Sequence, residues 1–365
     1  MRILEISFLN PYQSNAGGVE SYIVKITNFL KENNKITIIC SSTNKTKKTD
    51  NIIELYTGKF LRKSIYNIRL YFYVKKHRNE FDLIHMNGDN GFFIPLIKNT
   101  KTVMTLHGSK LESTIVKMKN FTFRSIISYI TGMLLGYMEI FACKRANKII
   151  SVSNHIKTYF SERTGRNDIN YIPTCINKVD TINISESDKL RITEMKSKYK
   201  TVCLWTGIDP ERKGLGIAKN IVSNFDDLVL FTSGYKDENV ANNVINLGYV
   251  DKDLLLYLYQ ISDIFIFPSR YEGFSIALLE AMSYGTIPLS FKIPATEELI
   301  TDSVDGFLLN DKMQFERTIE YLLNNRDKME MMKKNVDRRS QDFYCSKILP
   351  EIDSVFKELI NIKDM

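Results

Sequence analysis

The stretch Phe265 to Gly285 limits the choice of fold more than any other part of the sequence. The apolar run Ile264 to Phe267 has the length and aromatic content of a buried strand, and Pro268 stops it. Ser275 is then placed to cap a helix that carries Ile276, Leu278, Leu279 and Met282, and Gly285 is placed to end it. Strand, turn and helix in so short a span make a βα unit. Glu272 falls in the turn and Glu280 inside the helix. Between them the N–H groups of Gly273, Phe274 and Ser275 point out of the helix start, where an anion such as phosphate is favoured. Taken alone, this is also the pattern of an ordinary βα unit with two solvated glutamates, so the rest of the chain has to decide.

The same alternation runs through the sequence. Residues 2–8 read as a strand, and the loop Asn10 to Gly18 ends in Gly17-Gly18 before a helix from Val19 to about Glu32. Ile36 to Cys40 is a strand and Ser41 to Asp50 a loop. Lys59 to Arg78 interleaves Phe60, Tyr66, Tyr71, Phe72 and Tyr73 with basic residues at helical spacing. Asp82 to Met86 and Thr102 to Leu106 are strands. The second delivers His107-Gly108 at its carboxyl end, where ligands bind in open parallel sheets. Residues 110–145 supply two apolar-rich helices, and Lys148 to Ser153 a further strand.

The second half restarts the pattern after a polar linker, Lys178 to Lys189. Strand Thr201 to Trp205 leads into the Gly207 to Gly214 loop with Arg212-Lys213, then helix Leu215 to Asn224. Strands Leu228 to Thr232 and Val244 to Leu247 follow, the latter ending at Gly248, then helix Asp251 to Ser262. After the βα unit come strand Thr286 to Ser290, Glu297-Glu298 at a helix start, and a final pair of helices, Asp311 to Met365. Such alternation predicts two doubly wound α/β domains, which 365 residues accommodate.

Charge is unevenly placed. Residues 1–180 hold 27 Lys and Arg against 13 Asp and Glu, whereas residues 181–365 hold 23 against 29. The first half is therefore the one drawn to an anionic surface, and the basic-aromatic Lys59 to Arg78 and the apolar 110–145, flanked by Lys117, Lys119 and Arg124, point to peripheral contact with anionic membrane rather than to nucleic acid. A helix with a cationic solvent face is the plainer reading of the first stretch, and core packing of the second. Met1 to Phe8 lacks the marks of a signal peptide, and Ser125 to Met138 is shorter than the ~18–20 residues that cross a bilayer. The five cysteines, Cys40, Cys143, Cys175, Cys203 and Cys345, are odd in number and scattered, so neither a zinc site nor a disulfide framework is expected, and a reducing cytoplasmic compartment fits. Asp251-Lys252-Asp253 reads as the acidic first turn of a helix rather than as a metal site.

Gly17-Gly18-Val19-Glu20, Thr105-Leu106-His107-Gly108, Ser151-Val152-Ser153, Ile172-Pro173 with Ile176-Asn177, Lys213-Gly214, Gly248-Tyr249-Val250, and Glu272-Gly273-Phe274 with Glu280-Ala281 occur in this order along the chain. In that order and spacing the sequence resembles the retaining, nucleotide-sugar-dependent glycosyltransferases with the Glu-x7-Glu motif, the family 4-like enzymes of bacterial lipopolysaccharide and capsule synthesis. The resemblance implies a GT-B fold, two Rossmann-like domains facing a central cleft. Residues 1–178 would form the acceptor side, 179–342 the nucleotide-sugar side, and 343–365 a helix crossing back to the first domain.

It also implies roles. Glu272, His107 and Lys213 would be catalytic: Glu272 holding the donor sugar, His107 touching it, and Lys213 neutralising the diphosphate. Glu280 would bind the ribose. Phe274 and Ser275, beside Gly273, would offer N–H groups. Tyr249 and Val250 would line the base pocket, and Gly17 and Gly18 would let the first loop close over the phosphates. Many members carry an arginine after the glycine equivalent to Gly207. Here that residue is Ile208, and Arg212 is the candidate second cation.

The expected activity is transfer of a hexosyl unit from a nucleotide-sugar, a UDP-sugar ahead of a GDP-sugar, to a glycan or lipid-linked oligosaccharide acceptor at the inner face of the cell membrane, with no cofactor and no metal. The alternatives are a GT-B relative with other chemistry, such as a sugar-nucleotide epimerase, and a catalytically silent nucleotide-binding partner subunit.

Overall fold

The computed structural model describes residues 1–13, 17–59, 62–118, 126–237 and 242–361. Phe60, Lys119 and Arg124, singled out in the sequence, lie outside them. The chain divides into two compact units, Met1–Cys175 with Cys345–Met365, and Ile176–Tyr344. It leaves the first unit three residues earlier than the sequence division placed it and returns two residues later.

The first unit is built on an eight-stranded sheet in the order β3-β4-β2-β1-β5-β6-β7-β8, parallel except for β3 on β4. These strands are β1 (Arg2–Ile6), β2 (Lys35–Ser42), β3 (Lys47–Lys48), β4 (Ile52–Tyr56), β5 (Leu83–Asn87), β6 (Thr102–Leu106), β7 (Lys148–Ser151) and β8 (Ile169–Tyr171). The helices are α1 (Gly18–Leu30), α2 (Arg62–His77), α3 (Lys110–Met118), α4 (Ile126–Arg145) and α5 (Asn154–Thr164). Successive side chains of a strand point to opposite faces, so Ile3 joins one core and Leu4 and Ile6 the other. On Ile3's face the sheet is covered by Ile23 and Ile26 of α1 and by Ile348, Leu349, Ile352 and Phe356 of the last helix, Cys345–Asn361. On the opposite face lie Tyr66, Leu70 and Val74 of α2, Ala142 and Cys143 of α4, and Ile156 and Phe160 of α5.

The second unit holds a fully parallel six-stranded sheet in the order β11-β10-β9-β12-β13-β14. Its elements are α6 (Glu186–Lys196), β9 (Thr201–Thr206), α7 (Leu215–Val222), β10 (Leu228–Ser233), β11 (Val244–Asn246), α8 (Lys252–Ile261), β12 (Ile264–Phe267), α9 (Ile276–Ser283), β13 (Ile287–Phe291), α10 (Pro294–Glu297), β14 (Phe307–Leu309), α11 (Lys312–Asn324) and α12 (Arg326–Ser340). One core joins Trp205, Phe231, Phe265, Phe267, Leu279, Met282, Phe315 and Val336. Each sheet has a switch point where the strand order reverses from one side to the other, between β1 and β5 in the first and between β9 and β12 in the second. Ligands of open α/β sheets bind outside the carboxyl ends of strands at such points.

Several expectations need correction. Lys47–Lys48, inside the segment read as a loop, Ile52–Tyr56, Ile169–Tyr171 and Phe307–Leu309 are strands the sequence reading passed over. The linker Lys178 to Lys189 already contains the start of α6, whose cap Ser185 accepts the Asp188 N–H at 3.1 Å. The C-terminal segment forms three helices rather than two, the last of them (α13, Cys345–Asn361) in the first unit. Glu297 ends α10 instead of starting a helix and pairs with Lys292 at 3.4 Å. Cys175 and Cys345 form a disulfide with Cα atoms 4.8 Å apart, although 170 residues separate them. Scatter in sequence says nothing here, because these residues flank the two points at which the chain leaves and re-enters the first unit. Cys40, Cys143 and Cys203 are free and buried. No helix among the described residues is long and apolar enough to cross a membrane.

Candidate active site

In the second unit the site is assembled where β9 and β12 lie side by side. Gly207 follows β9 with Lys213 packed so closely against it that an added Cβ would run into the lysine stem. Gly214 is left-handed, with φ +70°, and a Cβ there would strike the Pro268 carbonyl. The Trp205 indole N–H donates to the Lys213 carbonyl at 3.0 Å, and the Arg270 N–H donates to the Arg212 carbonyl at 3.0 Å. These contacts hold the loop after β9 against the turn after β12.

As a result Arg212, Lys213 and Glu272 form one cluster. Arg212 Nη1 lies 2.9 Å and Lys213 Nζ 3.3 Å from Glu272 Oε1, and the Ser269 hydroxyl donates to the same oxygen at 2.9 Å. Lys213 also sits over the Phe267 ring, 5.2 Å from its centroid. Burial by itself would raise the Glu272 pKa, but Lys213, Arg212 and the Ser269 hydrogen bond outweigh it and hold the carboxyl below its ordinary value. Glu272 is therefore a buried anion between two cations.

Helix α9 begins just beyond. Ser275 caps it, its hydroxyl accepting the Leu278 N–H at 3.3 Å. Phe274 packs against Phe343, with centroids 6.0 Å apart, and Gly273 is buried. Glu280, on the same helix, is 13% exposed and pairs with Lys252 at 2.7 Å. Asp251 caps α8 by accepting the Leu254 N–H at 2.8 Å, the role expected of an acidic first turn. At the end of β11 the Gly248 carbonyl accepts the Gly234 N–H at 2.7 Å, Val250 packs against the core, and Tyr249 is 75% exposed. Ile208 is exposed as well.

The first unit carries a polar network at its own switch point. Asn87 donates to Glu5 Oε1 at 2.7 Å and to the Ile6 carbonyl at 3.1 Å, so its Oδ1 is the acceptor that faces His107 Nε2 at 3.0 Å. His107 Nε2 therefore carries the proton, and Nδ1 is the acceptor. Burial and the neighbouring His85 ring push the His107 pKa down to about 3, against a smaller opposing effect of Asp89, so the imidazole is neutral. Tyr22 packs edge-on against it, centroids 4.6 Å apart. His85 bridges Glu5 at 2.9 Å and the Thr105 hydroxyl at 2.7 Å. Gly17 caps α1, its N–H donating to Glu20 Oε2 at 3.0 Å, and Gly18 opens the helix.

Sequence reasoning missed Glu5, Asn87, Ser269 and the Lys63–Asp89 pair, a contact of 2.5 Å. His85, fully buried, belongs to the same network. The signal was present in two cases: His85 and Asn87 stand two apart in an otherwise apolar strand, as Thr105 and His107 do at the end of the next. Of the other histidines, His77 pairs with Glu80 at 2.7 Å and His155 with Glu112 at 3.1 Å.

Two Rossmann-like units, each with a switch point, have the GT-B architecture, and the family models that match the chain place it among the glycosyltransferases of that type. Two family models match the chain accordingly: Glycosyltransferase Family 4 over residues 16–179 and Glycosyl transferases group 1 over residues 233–339. An uncharacterised glycosyltransferase of Methanocaldococcus jannaschii is 24% identical, with 99% of this chain and 100% of the relative covered. A UDP-Gal:alpha-D-GlcNAc-diphosphoundecaprenol alpha-1,3-galactosyltransferase of Escherichia coli is 24% identical over 75% of this chain and 70% of its own length. Among solved structures, sucrose-phosphate synthase from Thermosynechococcus elongatus superposes with a TM-score of 0.81 at 16% identity, covering 99% of this chain and 100% of that one.

Proposed function

We propose that the chain moves a hexosyl unit from a nucleoside diphosphate sugar, a UDP-sugar ahead of a GDP-sugar, to a lipid-linked or polysaccharide acceptor, with retention of anomeric configuration. The observation that carries this reading is the convergence of Arg212 and Lys213 on Glu272 beside the N-terminus of α9. Transfer breaks the bond between the anomeric carbon and a phosphate oxygen, leaving negative charge on the diphosphate and positive character on the sugar ring. Lys213 and the N–H groups of Gly273, Phe274 and Ser275 supply fixed positive charge for the first, and Glu272 a fixed negative charge for the second. Glu280 is suited to accept the ribose hydroxyls. Tyr249 and Val250 would flank the base, and Gly17 and Gly18 would admit the phosphates.

His107 is neutral with Nδ1 as acceptor, so it suits a sugar hydroxyl rather than a phosphate. In front-face transfer the acceptor hydroxyl attacks from the side on which the diphosphate leaves, and its proton passes to the departing phosphate. No enzyme nucleophile is needed. Neutralisation by Lys213 and the N–H groups at the start of α9 makes the reaction independent of a divalent metal, so full activity in EDTA is expected. The undecaprenyl-linked acceptor in the name of the Escherichia coli relative supports a lipid-linked acceptor here.

A place at the cytoplasmic membrane face is part of the same reading. Ile130, Leu134 and Tyr137 form an exposed apolar stripe on α4, Ile115 is exposed on α3 and Phe72 on α2, and α2 carries Arg69, Lys75 and Lys76 with no acidic residue. Absence of co-sedimentation with anionic liposomes at low salt would remove this element. For the activity, the purified protein is offered UDP-, GDP- and ADP-sugars with Glu272→Ala as control. Hydrolysis or transfer from one donor class is expected, and failure to bind or hydrolyse any of them ends the reading. An inverted product by NMR would end the assignment of retention alone.

A further inference from the structure

All the donors that reach Glu272 meet on one atom. Arg212 Nη1 and the Ser269 hydroxyl each lie 2.9 Å from Oε1, and Lys213 Nζ lies 3.3 Å from it. Oε2 makes no hydrogen bond to any described residue. Arg212 is tied down further. Nη1 also donates to the Tyr271 carbonyl at 2.6 Å, Nε to Asp209 Oδ2 at 3.3 Å, and the Arg212 carbonyl accepts the Arg270 N–H at 3.0 Å. One planar fork thus joins the loop after β9 to both the backbone and the carboxylate of the turn after β12. Lys213 has no such anchorage: its ammonium meets Glu272 and the face of Phe267, and it carries three rotatable donors on a flexible stem.

We propose that Arg212 is a positioning residue. With Ser269 it occupies Oε1 of Glu272, which leaves Oε2 as the oxygen that accepts a hydroxyl of the transferred sugar, while Lys213 alone receives the diphosphate charge. This reassigns Arg212 from the second diphosphate cation expected in place of Ile208, and it rests on the glycosyltransferase reading above. The geometry favours it because a guanidinium spent on the Tyr271 carbonyl, Glu272 and Asp209 offers a phosphate only its remaining Nη2 face, whereas truncating it releases both the carboxylate and the turn.

The test compares Arg212→Lys, Arg212→Gln, Ser269→Ala and Lys213→Ala in the full-length protein. UDP affinity is read by calorimetry, kcat and KM with the donor found in the panel, and folding by thermal melting. A small displacement of a positioned group costs on the order of 100-fold in rate. Arg212→Lys and Arg212→Gln are therefore expected to lower kcat by about 30- to 100-fold with UDP affinity within about threefold of wild type, and Ser269→Ala to add little in the Arg212→Lys background because both act on one oxygen. Lys213→Ala is expected to weaken UDP instead.

The proposal is overturned if Arg212→Lys restores wild-type kcat, because charge rather than the fork would then suffice, or if Arg212→Gln loses UDP as severely as Lys213→Ala. Should an Arg212 variant fail to fold, Ser269→Ala on its own must lower kcat without weakening UDP. If the wild-type protein turns over no donor, the functional reading fails, and the positioning role is decided separately by carboxylate NMR: a raised Glu272 titration in Arg212→Gln supports it and an unchanged one overturns it.

Discussion

Glu272 in the second unit and Glu139 in the first are both buried carboxylates, and their surroundings drive them in opposite directions. Glu272 lies between two cations and a hydroxyl, which hold it ionised. Glu139, 3% exposed on α4, accepts the backbone N–H of Lys110 at 3.0 Å and stands near the charge of Asp89, which the opposing charges of Lys63 and Lys110 do not offset. Burial first, and Asp89 second, push its pKa up to about 8. The same residue type at similar depth is a fixed charge in one place and a neutral hydrogen-bonding group in the other. Burial alone does not mark a functional carboxylate. What distinguishes Glu272 is the set of cations brought to it by two loops at a switch point.

Replacing each carboxyl by its amide tests that contrast directly. Glu272→Gln should show the largest effect: removing a preorganised charge from such a site costs about 100- to 1000-fold in kcat, and removing the carboxylate that Lys213 and Arg212 share, which leaves Arg212 its pair with Asp209, costs about 3–5 kcal/mol of stability. Kinetics and thermal melts check both. Glu139→Gln should leave kcat nearly unchanged at pH 7, since the amide resembles the protonated acid, and should raise stability there, since the unfolded amide has no proton to release. An activity loss comparable to that of Glu272→Gln would erase the distinction.

Next in size is Glu280→Gln. Loss of a charge-assisted hydrogen bond of about 1.5–3 kcal/mol should raise the donor KM by at least about 10-fold and leave kcat alone.

Stability against pH separates the two groups by sign. The folded Glu139 keeps a proton that the unfolded chain releases above its ordinary value of 4.5, so its contribution declines as pH rises from 4.5 through about 8, and Glu139→Gln should flatten that decline. Glu272 is depressed, so its contribution is present above 4.5 and is lost as pH falls through its folded value. Denaturant midpoints across pH 3–9 for wild type and the two amide variants measure both slopes. The smallest effect is expected from Lys252→Ala. The lysine is 59% exposed and its pair with Glu280 is largely screened, so nucleotide affinity should change by no more than about threefold.

Much of the fold could be read in the sequence because its devices are local. Ser275 and Gly285 bracket α9, Pro268 ends β12, and His107 stands at the end of β6, all within a few residues of the apolar runs they terminate. The strands passed over, β3, β4, β8 and β14, lie at sheet edges or next to them, where short mixed segments such as Lys47–Lys48 and Ile52–Tyr56 carry polar residues within the strand. At α6 the signal existed in Ser185, Glu186 and Asp188, but the polar composition read as a linker. In the site, Glu272, Glu280, Arg212 and Lys213 were legible as residue types at a spacing. That Arg212 and Ser269 share one oxygen of Glu272 was not, because it depends on how closely Gly214 lets one loop approach Pro268. The Cys175–Cys345 bond and the pairing of Glu5 with Asn87 join residues far apart in sequence, and a single sequence holds no signal for which of them meet.

The return of α13 to the first unit bears on how the protein is made. A ribosome that has passed Cys175 has produced every strand of the first sheet but not the helix whose Ile348, Leu349, Ile352 and Phe356 cover Ile3, Ile23 and Val103. About 170 residues must follow before that helix begins, roughly 10–35 s at ordinary elongation rates. During that interval the first unit is nascent with one apolar face covered by α1 alone, whereas the second, an uninterrupted stretch from Ile176 to Tyr344, can close its core as it emerges. The unit begun first is thus the one completed last, and truncation anywhere before α13 would leave a stalled chain whose exposed sheet is a substrate for chaperones and proteases.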